Sequence, residues 1–241
     1  MIKLFSEDKR MIKHVIFDCF GTLIDTGSGS RKAVKTILNN VKADVDVNEF
    51  YKCWKNIKKK MMRDSVFRTE KKLFELSLAE AFAEYGIEAD AAVEVKPMID
   101  SLFGERFVFD DVKPALESLK EAGVDYAIGS TTDTDSLEYF LKFNELKFDI
   151  IFTSEDMKVY KPDRRFYETI IERTGWNIDE CIFVGDNIID DVYGPKSIGM
   201  KAILLDRKGT YDESDCKVKP DYVIKTLREI EDIFQTYWFV I

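Results

Sequence analysis

The chain has 241 residues, 45% hydrophobic and 34% charged, a balance expected of a globular protein with one sizeable core or a core with an insertion. A formal charge of −9 argues against general nucleic-acid binding, which needs a basic surface, and no apolar run is long enough to span a bilayer. The opening residues lack a signal-peptide core, and Cys19, Cys53, Cys181 and Cys216 are too scattered for a disulfide framework or a zinc site, so a cytoplasmic protein with reduced thiols is expected.

In chain order, residues 13–18 read as a buried strand that runs into Asp18. Met11 would serve as an alternative start, because the domain needs nothing before it. His14, the one histidine, lies just inside this strand and reads as structural. A polar loop, residues 26–31, leads to a helical block that ends near residue 102. Within the block Phe50, Trp54, Ile57 and Met61 recur at helical spacing, as do Leu73, Leu76, Leu78, Ala81 and Phe82, which predicts packing between helices. The run Lys58-Lys59-Lys60 reads as a solvated helix face, with the border of an anion entrance as the alternative. From residue 107 the pattern alternates. Helices are predicted over 112–123, 136–143, 163–175, 190–199 and 225–234, and strands over 124–130, 148–154, 181–186, 201–205 and 221–224. Such alternation predicts an α/β fold, a doubly wound parallel sheet with helices on both faces. Residues 11–25 and 107–241 would form this Rossmann-like core, and residues 26–106 an inserted α-helical cap domain. The terminal "TYWFVI" is apolar enough to pack on the core or, less favoured, in a dimer contact, so monomer and homodimer both stay open.

In open α/β sheets the ligand binds beyond the carboxyl ends of the strands. Those ends carry Asp18, then Ser130 and Thr131, then Asp186, with Lys161 shortly after the 148–154 strand. A strand-end acid alone is often a cap or a turn residue. Here two carboxylates, a hydroxyl and a lysine would converge on one rim.

The motifs "FDCFGTLID", "AIGST", "YKPDRRFY" and "FVGDNIIDDVYGPKSIGMKAILL" resemble, in this order, the four motifs of the haloacid dehalogenase superfamily, most of whose members are phosphatases. The resemblance implies Asp18 as nucleophile, Ser130 as the second-motif hydroxyl, Lys161 as the third-motif cation, and Asp186 and Asp191 as the fourth-motif acids. It also implies Mg2+ held by Asp18, Asp186 and the backbone carbonyl of Phe20. Attack by a carboxylate on phosphorus divides one hard displacement into two, with an aspartyl-phosphate between them. Lys161 would hold the nucleophile and the transferred group, with Pro162 restraining its loop, and Ser130 and nearby N–H groups would donate to phosphoryl oxygens. Gly21 allows the turn after the strand, and Gly21, Thr22 and Thr131 are candidate substrate contacts. Asp191 would orient Lys161 or a metal-bound water, with Asp190 as a rival.

One position departs from the pattern. Family phosphatases carry a second aspartate two residues after the nucleophile, as general acid and base, and Phe20 stands there. The first motif therefore resembles the 2-haloacid dehalogenase branch, while Asp186 and the Asp190-Asp191 pair look phosphatase-like. Two carboxylates at one rim need a cation, which favours magnesium and phosphoryl transfer. The reading is a magnesium-dependent phosphatase for a small phosphorylated metabolite, without nucleic-acid or membrane partners. The alternatives are a dehalogenase-like hydrolase, a phosphonate hydrolase using a cap lysine, and a non-catalytic binding module. Asp25 and Cys19 are nearby candidates for the missing acid, and Arg31, Arg63 and Arg68 could reach a substrate anion.

Overall fold

The computed structural model describes residues 12–64, 66–215 and 217–238. Met11, Cys216 and the end of "TYWFVI" lie outside the described residues.

The first strand, β1 (His14–Phe17), is followed by five helices, α1 (Gly29–Asn40), α2 (Val47–Met61), α3 (Glu70–Glu84), α4 (Ala91–Glu94) and α5 (Lys96–Ser101). Then come α6 (Val112–Glu121), β2 (Asp125–Ser130), α7 (Thr134–Phe143), β3 (Ile151–Thr153), α8 (Ser154–Met157), α9 (Arg164–Thr174) and β4 (Cys181–Gly185). A short helix α10 (Gly194–Lys196), β5 (Lys201–Leu205), β6 (Tyr222–Ile224) and α11 (Ile230–Trp238) complete the described chain.

The six strands described form one parallel sheet in the order β3-β2-β1-β4-β5-β6. Alternation along each strand feeds two cores. Val15 and Phe17 of β1, with Ile182 and Val184 of β4, face the cluster beneath α6, α7 and α11. Ile16, Cys181 and Phe183 face the other side, with Phe166 and Ile170 of α9. The expected doubly wound α/β architecture is thus present. The strand order reverses between β1 and β4, and such a switch point opens a crevice at the carboxyl ends of the strands.

The helices between β1 and α6 have a core of their own, in which Ile37, Phe50, Trp54, Leu78 and Phe82 pack together. Trp54 donates its indole N–H to Ser77 at 2.7 Å, so its one polar atom is satisfied in that core. The chain leaves for this layer and returns from it at one place. Asp25 N–H donates to Phe107 O at 3.0 Å, Phe109 N–H to Leu23 O at 3.1 Å, and Ile24 bridges Val108 antiparallel.

Two expectations need correction. The helix predicted over 190–199 opens as a wider π-helical turn, Ile188–Tyr193, before α10. An α-helix there would need an N–H from Pro195, which has none. The Tyr167 hydroxyl donates to the preceding carbonyl, Asp190 O, rather than to the Asp191 O that an N–H at 195 would serve, and Gly194 makes room because any Cβ there would collide with Tyr167. The lysine run is not one solvated face. Lys59 and Lys60 are exposed, but Lys58 has 17% of its side chain exposed and binds Glu70 at 2.7 Å. His14 stacks on Trp176, with ring centroids 4.2 Å apart, away from the strand ends.

Candidate active site

Register brings the strand-end residues together. Phe17 lies opposite Val184 on one side and Ile128 on the other, and Asp18 N–H donates to Val184 O at 2.8 Å. The residues flanking Asp18 are therefore Gly129 and Gly185, and both must be small. A Cβ on Gly129 would crowd Ile16, Ile170 and Phe183 at 3.1–3.2 Å, and one on Gly185 would strike Asp191. Gly21, at φ +100°, turns the chain, and a Cβ there would stand 2.5 Å from Asp186 Oδ2. Gly21 and Gly185 thus clear the space in which three carboxylates meet, and Gly129 lets the apolar core close beneath it.

Asp18, Asp186 and Asp191 each offer an oxygen within 4.8 Å of the others. Lys161 lies between two of them, donating at 2.7 Å to Asp18 Oδ1 and at 2.7 Å to Asp191 Oδ1. Burial works to lower the Lys161 pKa, but Asp18 and Asp191 outweigh it and hold the ammonium above its ordinary value. Asp191 is also buried, which pushes its carboxyl up against the pull of Lys161. Its second oxygen accepts from Asn187 N–H at 3.0 Å, so both oxygens have protein partners. Asp190, by contrast, does not reach Lys161. Asn187 caps the π-helical turn through Ile189 and Asp190 N–H, which aims Asp191 inward.

The other oxygen of Asp18 accepts from the Thr22 hydroxyl at 3.3 Å, and Thr22 is fully buried. Arg207 fixes that turn from below. Its guanidinium bonds Thr22 O at 2.8 Å and both oxygens of Asp111, at 2.7 and 3.0 Å. Asp186 is less engaged, because the one bond it receives comes from its own backbone. Burial, and then the Asp18 charge, push its carboxyl up to about 6, although the residue as a whole is exposed. Three carboxylates against one ammonium leave two negative charges, and the donors are all hard oxygens. The set fits one divalent cation such as Mg2+, with Asp186 the ligand that nothing else occupies.

Ser130 is buried at the end of β2. Thr131, next along, has a buried hydroxyl with no partner among the described residues, and it lines a cavity of about 470 Å³ with Phe20. This cavity lies between the helical layer and the sheet. Phe20 packs edge-on against Phe140, at 5.3 Å between centroids. A second, larger cleft of about 900 Å³ opens on the other side of the Lys161 loop, beside Arg63 and Arg68.

Neither nearby candidate for an acid reaches the site. Cys19 is fully buried in the core, where burial and then Asp18 drive its thiol far up. Asp25 is exposed and accepts from Gly27 N–H at 2.8 Å.

Three residues at or near the cavity carry no motif. Arg106 and Lys208 line its wall. Asp133, just past Ser130, reaches across to the helical layer and accepts from Glu70 N–H at 2.6 Å and Lys71 N–H at 3.1 Å. It completes the first turn of α3, with Thr69 accepting from Lys72 N–H at 3.3 Å. Lys71 pairs with Asp135, and Tyr160 donates to Arg68 O at 2.9 Å, so helical layer and core are bolted together beside the site.

Residues 12–199 match the family model described as a haloacid dehalogenase-like hydrolase. The chain is 27% identical over 206 residues to (S)-2-haloacid dehalogenase 4A of Burkholderia cepacia, covering 84% of this chain and 86% of that protein. It is 26% identical over 239 residues to glyceraldehyde 3-phosphate phosphatase of Pyrococcus furiosus, covering 94% of both. Among solved structures, the L-2-haloacid dehalogenase RSc1362 superposes with a TM-score of 0.76 at 19% identity, over 94% of this chain and 100% of that one. The HAD-hydrolase YfnB of Bacillus subtilis, bound to magnesium, gives 0.73 at 20% identity, over 93% and 99%. At those identities the structural likeness speaks for the fold.

Proposed function

Because the chain belongs to the haloacid dehalogenase-like hydrolases, with relatives that include both phosphatases and dehalogenases, we propose that it is a magnesium-dependent phosphatase for a small phosphorylated metabolite. The observation that carries this reading is Asp186. It stands beside Asp18 and Asp191 with no side-chain hydrogen-bond partner among the described residues, where removing a halide from a carboxylic acid would gain nothing from another negative charge.

In this reading Asp18 attacks phosphorus, the P–O bond to the alcohol breaks to give the aspartyl-phosphate, the alkoxide takes its proton from solvent, and water then cleaves the aspartyl-phosphate to inorganic phosphate and free Asp18. Thr22 and Lys161 hold its two oxygens, so the carboxylate presents a fixed geometry. Lys161 also faces the transferred group, and Asp191 keeps the ammonium in place and charged. Ser130 and Thr131 donate to phosphoryl oxygens, and the unpartnered Thr131 hydroxyl supports that role. Magnesium, held by Asp18, Asp186 and the carbonyl of Phe20, would offset the charge of the phosphoryl oxygens. Gly21 gives Asp186 its space. The helical layer, residues 26–106, acts as a cap that covers the cleft and excludes water. Phe20 transfers no proton, so substrates with good leaving groups are favoured. The three described cysteines are free, in keeping with a cytoplasmic protein.

Phe20 and the dehalogenase relatives support a second reading, displacement of halide from a 2-haloacid by Asp18. A paired assay separates the two. Phosphate release from an aryl phosphate that disappears with chelator and with Asp18→Asn is the expected result. Halide release from 2-haloacids in chelator, with no phosphate released, would replace it.

A further inference from the structure

The cavity beside Phe20 holds more positive charge than the reacting group requires. Arg31, Lys55, Lys58, Arg106 and Lys208 line it, against one carboxylate, Glu70, which Lys58 already engages at 2.7 Å. Arg31, Lys55 and Lys208 are exposed and Lys58 is paired, which leaves Arg106 as the half-buried cation without a carboxylate partner. Its guanidinium has five N–H donors, and among the described residues its one hydrogen bond goes to a neutral acceptor, Ser101 O, at 2.9 Å. No carboxylate among the described residues lies within ion-pair distance of it. The rings of Phe20 and Phe140 lie beneath it, at 5.6 and 5.1 Å to their centroids. Those faces attract the cation and fill none of its donors. Burial lowers the Arg106 pKa and outweighs the opposing pull of Glu70.

Phe20 explains why the guanidinium is free. A carboxylate at that position would lie within reach of Arg106 and neutralise it, whereas the ring supports it and leaves its edge to the cavity. In the larger cleft Arg68 and Arg165 are tied to Asp64 and Asp163 at 3.1 and 2.6 Å, and Arg63, Lys158 and Lys217 are exposed to solvent. Trp54 and Phe74 give the smaller cavity an apolar wall for a short organic stem.

We propose that this cavity receives the non-reacting end of the substrate, and that this end carries an anionic group, a carboxylate or a second phosphate, bound by Arg106. The proposal rests on the phosphatase reading for the reacting end. The substrate class is then a short phosphomonoester with an anion at each end.

The test compares phenyl phosphate, 4-carboxyphenyl phosphate and 1,4-phenylene bisphosphate, with magnesium present. In the parent protein at least one doubly anionic ester should have a KM about 10- to 100-fold below that of phenyl phosphate, the span of a charge-assisted hydrogen bond. Which of the two is preferred distinguishes the carboxylate from the phosphate. Arg106→Gln should abolish the preference while kcat on phenyl phosphate changes less than about threefold, and Arg106→Lys should keep part of it. Equal KM values in the parent would overturn the proposal without recourse to any variant, and so would a preference that survives Arg106→Gln. Calorimetric binding of the same compounds to Asp18→Asn, with and without Arg106→Gln, separates the two readings. An Arg106-dependent preference in binding, with no phosphate released by the parent, upholds the anion site and refutes the phosphatase. Phosphate release with no preference does the reverse.

Discussion

Replacing Lys161 by methionine removes the one cation that holds two buried carboxylates apart. The ammonium has 2% of its side chain exposed and stands 2.7 Å from Asp18 and 2.7 Å from Asp191, whose side chain is 1% exposed. At an effective dielectric near 20, each pair is worth about 6 kcal/mol before desolvation is counted. Methionine fills the volume but leaves Asp191 buried with the Asn187 N–H as its remaining partner. Breaking a buried pair from one side costs about 3–5 kcal/mol, and that is the expected loss at neutral pH. The pH dependence has a definite sign. In the parent, the Lys161 pKa is raised by its carboxylates, so its contribution is complete below its ordinary value of 10.5 and is lost as pH rises through the folded one. In the variant, the stranded carboxylates bind protons more tightly in the folded state than in the unfolded one. Stability therefore falls as pH rises, and the loss shrinks in acid. Urea titration in chelator, near pH 8 and near pH 5, reads this directly. A loss below about 1 kcal/mol, or an equal loss at both pH values, would refute the charge argument. The double variant with Asp191→Leu should recover at least half of the loss.

Asp133→Asn keeps one acceptor for the first turn of α3 but removes the charge and the second bond. A weakening of about 1–2 kcal/mol between helical layer and core is expected. It would appear as faster hydrogen exchange at Glu70 and Lys71, and unchanged exchange would count against the bolt. Asp186, raised to about 6, takes up a proton on folding, so the metal-free protein loses stability as pH rises from 3.8 through that value. The same proton competes with a cation. Magnesium affinity measured by calorimetry should drop below pH of about 6, and Asp186→Asn should abolish that dependence. Phe20→Asp places a carboxylate under Arg106. It should raise phosphate release from alkyl esters, the substrates most in need of an acid, by at least about tenfold. It should also reduce any preference for anionic substrates, and no change in either rate or preference would contradict the account of position 20.

What could be read from the chain follows the range of the interactions. Asp18, Ser130 and Asp186 are visible in sequence because each ends a short apolar run, and parallel register does the rest. Lys161 is visible through its motif, and geometry then separates Asp191 from Asp190, one residue apart. Arg106 and Lys208 are not visible, because neither sits in a periodic or motif-bearing stretch and only the folding of the helical layer onto the sheet brings them to one wall. Asp133 looks like an ordinary helix N-terminal acid, yet it caps a helix 63 residues away in sequence. Lys58 turns inward because Glu70, on the next helix, draws it there.

The paired crossings at Asp25 and Phe107 have a consequence for how the chain can be cut. The two ends that excision of residues 26–106 would leave are already hydrogen-bonded at 3.0 Å, as at the mouth of a hairpin. A turn of about two residues would rejoin them. Each piece would keep a hydrophobic cluster, the sheet its two faces and the helices their aromatic centre around Phe50. With the contacts of Asp133 and Tyr160 rebuilt, the helical layer would be open to exchange. A different one could be spliced in at the same stitch, giving the unchanged carboxylates a new cavity wall and hence a new choice of substrate.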